Sequence, residues 1–188
     1  GGNWSVGGEV PQSGPCHVCD KAVFPESAVG TITCDCSVSV GGIDIAAANL
    51  DLVFTSEADV TVTAASLICG GGEKVAPRVS SVTLDGVNLT VTGGTVTFIP
   101  GQRLELRNGS DVSLPSLSFY NRTDKRSDVV LSGDSALTVR GDLTICCYTF
   151  FTLDDSTVTC NGNFNIDFAD NTHAVGGGHF IFKGTHPL

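Results

Sequence analysis

Apolar and polar residues alternate strictly between positions 31 and 40, with polar side chains at the odd positions and apolar side chains or cysteine at the even ones. A period of two predicts a β-strand, because successive side chains of a strand point to opposite faces. We expect the even positions to face inward, and these are Ile32, Cys34, Cys36, Val38 and Val40. Shorter alternating runs predict further strands, among them residues 111–114 and 157–160, but none between 148 and 156 or between 168 and 179. The runs are separated by Gly-Gly, Asp-Gly, Pro-Gly and Asn-Gly pairs that tolerate positive φ angles.

A repeat in the C-terminal half indicates how these strands are arranged. Residues 134–145 read DSALTVRGDLTI and residues 155–166 read DSTVTCNGNFNI, so each position recurs after 21 residues, with Gly141 matching Gly162. A constant period of about 20 residues is typical of a chain wound into stacked coils. A β-sandwich also has many short strands, but its hairpins impose no constant repeat length. The sequence therefore predicts an all-β, single-stranded parallel β-helix (β-solenoid) over residues 30–188.

Residues 1–29 lack sustained alternation and hold three of the seven prolines, which predicts an irregular N-terminal extension. Its two cysteines, Cys16 and Cys19, can pair with Cys34 and Cys36 and so tether the extension over the first coil. The same spacing would suit a structural zinc ion. Inward cysteines in an exported chain favour disulfides, so we predict a disulfide-tethered extension and no metal.

Export is indicated by the absence of Met, by Gly at position 1 and by an even set of cysteines. The eight disulfide candidates are Cys16, Cys19, Cys34, Cys36, Cys69, Cys146, Cys147 and Cys160. Strand parity places Cys146 outward and Cys147 inward, so Cys147 suits a disulfide with Cys160 in the neighbouring coil. Cys69 is then left for Cys146 or for another chain.

Four Asn-x-Ser/Thr sequons support the secretory route, because such sites accept N-linked glycans. The candidate asparagines are Asn3, Asn88, Asn108 and Asn121. We expect a secreted or cell-surface glycoprotein.

The formal net charge of −10 argues against a nucleic-acid partner, which requires a cationic surface. No apolar run reaches the roughly 20 residues that cross a bilayer, so no membrane insertion is expected. With 41% hydrophobic and 16% charged residues, the composition excludes a disordered chain. We expect no cofactor, because no calcium-loop pattern or other cofactor motif is visible.

Pairs of Thr at alternate positions resemble the ice-binding faces of some β-solenoid antifreeze proteins. The pairs are Thr31/Thr33, Thr61/Thr63, Thr90/Thr92, Thr95/Thr97 and Thr157/Thr159. Outward Thr is common in any β-sheet, and a blurred period toward the N-terminus argues against one regular row. Ice binding is therefore a lesser alternative.

An enzyme or a glycan-binding module is the other alternative. Many right-handed β-helix enzymes cleave acidic polysaccharides with charged groups on the outer wall. The matching residues here are Arg103, Glu105, Arg107, Asp154, Asp155, Asp167 and Asp170. Exposed aromatics such as Trp4, Tyr120 and Tyr148 could bind glycans. The histidines have no Ser, Cys or Glu in a recognised catalytic arrangement, so we predict no catalytic residues.

The ends of a solenoid expose backbone groups and core side chains, and uncapped ends recruit other chains. The final predicted strand has an adhesive character, with Phe180, Ile181 and Phe182 as assembly candidates. Repeat and alternation together resemble right-handed β-helix surface proteins as a class. We expect an exported structural glycoprotein that forms a homopolymer through end-to-end contacts, as a subunit of an extracellular filament, coat or wall.

Overall fold

The computed structural model describes residues 21–24, 30–34, 37–45, 52–56, 60–69, 81–98, 102–119, 126–146, 149–167 and 174–184, and these ranges contain strands and no helix. In chain order the strands are β1 (Lys21–Val23), β2 (Gly30–Cys34), β3 (Val38–Val40), β4 (Gly42–Asp44), β5 (Leu52–Ser56), β6 (Thr61–Ala64), β7 (Leu67–Ile68), β8 (Ser81–Asp85), β9 (Asn88–Val91), β10 (Val96–Phe98), β11 (Arg103–Arg107), β12 (Asp111–Leu114), β13 (Leu117–Phe119), β14 (Ser127–Leu131), β15 (Ala136–Val139), β16 (Leu143–Cys146), β17 (Thr149–Leu153), β18 (Thr157–Cys160), β19 (Phe164–Asp167), β20 (Ala174–Gly176) and β21 (His179–Phe182).

The strands form parallel sheets in which every third strand along the chain returns to the same wall, one coil further on. The first wall is a seven-stranded sheet in the order β2-β5-β8-β11-β14-β17-β20. The second wall is a seven-stranded sheet in the order β3-β6-β9-β12-β15-β18-β21. The remaining strand of each coil, called here its third position, belongs to a three-stranded sheet in the order β1-β4-β7 or to a four-stranded sheet in the order β10-β13-β16-β19. The predicted β-solenoid is confirmed.

Inward side chains stack in register to build the core. On the first wall the pairing order of one inward column is Ile32, Phe54, Leu84, Leu106, Leu131 and Leu153, and all six are buried. Because the side-chain period of a strand is two, the same alternation that predicts strands also places these residues on one face. Burying each large apolar side chain stabilises the fold by about 1.5–3 kcal/mol.

Phenylalanine rings form a chain of contacts along the C-terminal half of the core. The centroids of Phe98 and Phe119 lie 5.3 Å apart, and those of Phe119 and Phe151 lie 6.4 Å apart. Phe151 in turn contacts Phe180 at 5.3 Å. Such pairs stabilise a core beyond their buried area alone.

Buried serines stabilise the corner between the first and second walls. Ser110, Ser135 and Ser156 occupy this corner in successive coils and are at most 1% exposed. The Ser110 hydroxyl accepts a hydrogen bond from the Val87 N–H at 3.0 Å, and the Ser156 hydroxyl accepts one from the Ser135 N–H at 3.1 Å. At the bend, these serine hydroxyls accept hydrogen bonds from backbone N–H groups that do not pair with a neighbouring strand.

Several strand predictions differ from the structure. The alternating run 31–40 forms two strands, β2 and β3, which lie on different walls. In the sequence they look like one strand because the even positions are apolar in both. The pattern missed β17, in which Phe150 faces outward beneath the Arg126 guanidinium, 4.3 Å from the ring centroid. It also missed β20, which is short and ends in glycine.

The segment predicted as an irregular extension contains β1, which pairs in parallel with β4. Residues 1–20 and 25–29 lie outside the described ranges. No disulfide joins cysteines within the described ranges, where Cys69 and Cys160 carry free, buried thiols. The structure therefore does not support the predicted disulfide-tethered extension, and the Cys147–Cys160 disulfide is wrong, because the thiol of Cys160 is free. Cys16, Cys19, Cys36 and Cys147, and the side chain of Cys146, lie outside the description.

Candidate interaction surfaces

The inward side chains of the last described strands form an exposed apolar cluster, called here the end cluster, which consists of Phe164, Ile166, Phe180 and Phe182. Ile166 pairs in register with Ile145, yet Ile166 is 51% exposed and Ile145 only 3%. The exposure arises because, among the described strands, β19 and β21 pair along one edge only. Edge strands with free backbone groups are templates for pairing with another chain.

The end cluster is held in place by ring contacts. Phe180 and Phe182 stack with centroids 4.7 Å apart, and Phe182 lies 5.0 Å from Phe164. Phe180 also contacts Phe151 in the core. The ring contacts thus join the cluster to the core.

Sequence reasoning found only part of this end. Phe180 and Phe182 belong to the end cluster as inward side chains of β21, whereas Ile181, 40% exposed, lies on the outer face of the second wall. Phe164 and Ile166 were missed. The signal for Ile166 was present, because the repeat matches it with Ile145, an inward residue one coil earlier.

A column of hydroxyl side chains runs along the outer face of the second wall. This hydroxyl column consists, in pairing order, of Ser39, Thr63, Thr90, Ser113, Thr138 and Thr159. Neighbouring strands lie about 4.8 Å apart, so the column repeats at that spacing. The expectation that the blurred period breaks such a row was wrong, because the register stays constant while the number of residues per coil changes.

The neighbouring outward column on the same wall is mixed. It reads Thr61, Asn88, Asp111, Ala136 and Thr157 in pairing order. Of the predicted Thr pairs, only Thr61/Thr63 and Thr157/Thr159 lie wholly on strands of this wall. Arg140 crosses the surface, where its Nη1 donates to the Ser113 hydroxyl at 2.7 Å and its Nη2 to the Val91 carbonyl.

The charged residues of the enzyme alternative do not converge. Arg103, Glu105 and Arg107 face outward on β11 as predicted. Arg103 pairs with Glu105 at 3.1 Å, and Arg107 pairs with Asp85 at 3.1 Å.

The acidic candidates lie elsewhere. Asp154 and Asp155 are exposed at the corner after β17, two strands away from β11. Asp170 and the side chain of Asp167 lie outside the described ranges, as do Trp4, Tyr120 and Tyr148. The described arrangement therefore gives no support to polysaccharide cleavage.

Two of the four sequons can be placed. Asn108 is exposed at a corner with φ of 56°, and its Nδ2 donates to Asp85 Oδ1 at 2.6 Å. Asn88 is half-buried within β9, between Thr61 and Asp111. A glycan is therefore better accommodated at Asn108 than at Asn88. Asn3 and Asn121 lie outside the described ranges.

Burial controls the chemistry of the two free thiols. It raises the pKa of the fully buried Cys69 thiol far above its usual range, and the charge of Asp44 adds to the effect. Burial also raises the pKa of Cys160, although backbone hydrogen bonds with Leu143 and Gly162 oppose the shift. Protonated, buried thiols are poor nucleophiles, so neither cysteine marks a reactive site.

Within the described ranges, no three His, Cys, Asp or Glu side chains lie close enough to bind a metal ion together. The same ranges contain no helix with the length and hydropathy needed to cross a membrane. Known protein families, curated proteins and solved structures contain no match to this chain.

Proposed function

We propose that this chain is an exported structural glycoprotein that associates end to end, as a subunit of an extracellular filament, coat or wall. The observation that carries the proposal is the end cluster, where inward residues such as Ile166 and Phe182 are exposed at 51% and 49%. In every earlier described coil the inward positions face a further coil. Another molecule stacked on β19, β20 and β21 would complete the same arrangement.

Stacking would contribute two kinds of stabilisation. Covering the end cluster removes apolar surface from water, worth about 25 cal/mol per Å². Adding a parallel strand to β21 extends its backbone hydrogen bonds into the partner, which is the mode of β-strand addition. Because the C-terminal end of one copy would meet the N-terminal end of the next, the contact is heterologous and produces a fibre unless it closes into a ring.

Sedimentation velocity and electron microscopy of the full chain test this proposal. We expect species larger than the monomer that grow with concentration, and rods in the images. Ile166→Lys places a charge in the end cluster and should shift the population toward monomer, because an unpaired charge is costly to bury in a contact. A wild-type protein that stays uniformly monomeric at high concentration contradicts the proposal.

The matched control is Thr152→Lys. Thr152 is exposed on the outer face of the first wall, so the substitution adds the same charge away from the end cluster. We expect it to assemble like the wild type. Equal loss of assembly in both variants would show that net charge, and not the end cluster, governs association.

Export and glycosylation are supported by the sequons, of which Asn108 is the most accessible that can be placed. Mass spectrometry of protein from a secreting eukaryotic host, before and after glycosidase treatment, should detect a glycan that Asn108→Gln removes. A non-reducing peptide map of the same sample tests the tether of Cys16 and Cys19 to Cys34 and Cys36. Unmodified asparagines at all four sequons would count against this part of the proposal.

One observation favours ice binding as a second candidate. The hydroxyl column is continuous across six strands and contains only Ser and Thr. Thermal hysteresis measured on the wild type, on Thr138→Tyr and on Thr144→Tyr tests it. Loss of hysteresis only for Thr138→Tyr would support this candidate, because Thr144 lies on the third position of its coil. Absence of hysteresis in the wild type would eliminate it.

A further inference from the structure

The core contains an apolar cavity in its N-terminal half. The cavity volume is about 30 Å³, and the lining side chains include Phe54, Val62, Val82, Leu89, Phe98 and Val112. These residues come from the first, second and third positions of successive coils, so the cavity lies inside the solenoid rather than on a wall.

The cavity coincides with a break in the chain of aromatic contacts. Phe24 contacts Phe54 at 5.7 Å, and the second run of rings begins with Phe98 stacked on Phe119 at 5.3 Å. No ring contact joins Phe54 to Phe98 in the described core, and both line the cavity. The space between them is therefore a gap in the stacking of the core.

Valine occupies several of the inward positions that line the gap. The inward column of the second wall passes from Val62 to Leu89, Val112 and Leu137. On the first wall Val82 occupies the inward position that Leu104 holds in the next coil. A valine side chain has one methylene group fewer than a leucine side chain, so these positions contribute less apolar volume to the core beside the gap.

Water is a poor occupant of this space. A buried water needs two to four polar partners, and the lining consists of apolar side chains together with Cys34. Apolar cavities of this kind stay dry and bind apolar guests. A water-sized sphere needs about 10–15 Å³. The cavity volume of about 30 Å³ therefore limits the guest to the size of about two such spheres.

We propose that the space between Phe54 and Phe98 is a binding site for a small, uncharged, apolar molecule of the size of a dissolved gas or a short hydrocarbon. The guest is held by dispersion contacts with the side chains that line the space, which otherwise lack partner atoms on one side. Binding is independent of the end cluster and of end-to-end association.

Xenon is the probe. We expect electron density for one xenon atom between Phe54 and Phe98 in crystals of the full chain under xenon pressure, and a saturable ¹²⁹Xe chemical shift in solution. Val82→Ile and Val112→Ile each add one methylene to the lining. Each should weaken xenon binding at least about tenfold, which corresponds to about 1.4 kcal/mol, because the added carbon occupies space that the xenon atom needs.

The matched control is Val129→Ile. Val129 is buried in the same inward column as Val82, on the far side of Leu104, but does not line the cavity. Xenon affinity should stay unchanged in this variant. The two filling variants lie on different walls, so one remains informative if the other does not fold.

Two results would overturn the proposal. One is the absence of xenon density between Phe54 and Phe98 in the wild type under pressure. The other is equal xenon affinity in the wild type and a folded filling variant.

Discussion

Gly162 lies where the backbone of one coil turns directly over the backbone of the coil before it. Its N–H donates to the Gly141 carbonyl at 3.0 Å, and a Cβ at Gly162 would lie 2.5 Å from that carbonyl oxygen. Gly141 has the same relation to Pro115, whose carbonyl oxygen would lie 2.7 Å from a Cβ. Glycine is required here by close backbone approach, and neither residue adopts a positive φ.

We expect Gly162→Ala to lower the free energy of unfolding by about 1–3 kcal/mol, the usual cost of forcing extra atoms into a packed site. Gly176→Ala is the matched control, because a Cβ at Gly176 meets nothing within 4 Å. Urea unfolding of the two variants and the wild type measures the difference. Equal stability of the two variants would show that the corner can relax.

Among the elements, the second wall keeps its register although the coils differ in length. The connections from the third position of one coil to the first of the next vary most. Two residues, 147–148, join β16 to β17, whereas twelve, 69–80, join β7 to β8. The hydroxyl column is unaffected, because those connections lie away from the strands that carry it.

The position of the connections that vary in length explains which features could be predicted from the sequence. The 21-residue repeat is clear in β15–β16 and β18–β19, because only two residues connect β16 to β17. Alternation alone predicted strands such as β12 and β18. The hydroxyl column could not be found, because its members are 24, 27, 23, 25 and 21 residues apart. The end cluster was half found, since the exposure of Ile166 arises because no described strand pairs with the far edge of β19, which the sequence pattern does not show.

Arg140 links three strands of the second wall. It follows β15, and its guanidinium donates to Ser113 on β12 and to Val91 on β9. A guanidinium can bridge such acceptors because its donors are fixed in one plane. The side chain therefore contributes to the stacking of coils along this wall.

We expect Arg140→Ala to lower the free energy of unfolding by about 1–3 kcal/mol, because hydrogen bonds from charged donors are lost. Arg103→Ala serves as the control, since its ion pair with Glu105 is surface-exposed and such pairs contribute about 0–1 kcal/mol. Thermal and urea unfolding would compare them. A larger loss for Arg103→Ala would contradict the assignment.

At the scale of the whole molecule, the buried thiols should make the free energy of unfolding decrease at alkaline pH. The pKa of Cys69 is raised by burial in the folded state, above its ordinary value of 9.0. Above about pH 9 the unfolded chain therefore loses the thiol proton while the folded chain keeps it. Stability is complete below that pH and falls as pH rises, by up to about 1.4 kcal/mol per pH unit for each such thiol.

Urea unfolding at pH 8 and pH 10 should show this decline in the wild type. Cys69→Ala should reduce the slope between the two pH values, whatever its effect on stability at pH 8, because one titrating group is removed. Tyrosine and lysine titration is common to both proteins and cancels in the comparison. An unchanged slope in the variant would show that Cys69 does not contribute.

Twelve residues connect β7 to β8, whereas two connect β16 to β17, so this side of the solenoid accommodates connections of different length. It is therefore a suitable position for displaying foreign peptides. A sequence grafted between Cys146 and Thr149 would lengthen only the path between two strands whose neighbours on each wall are already fixed. Successive grafts at equivalent positions would project from one flank at intervals set by the rise of a coil, about 4.8 Å.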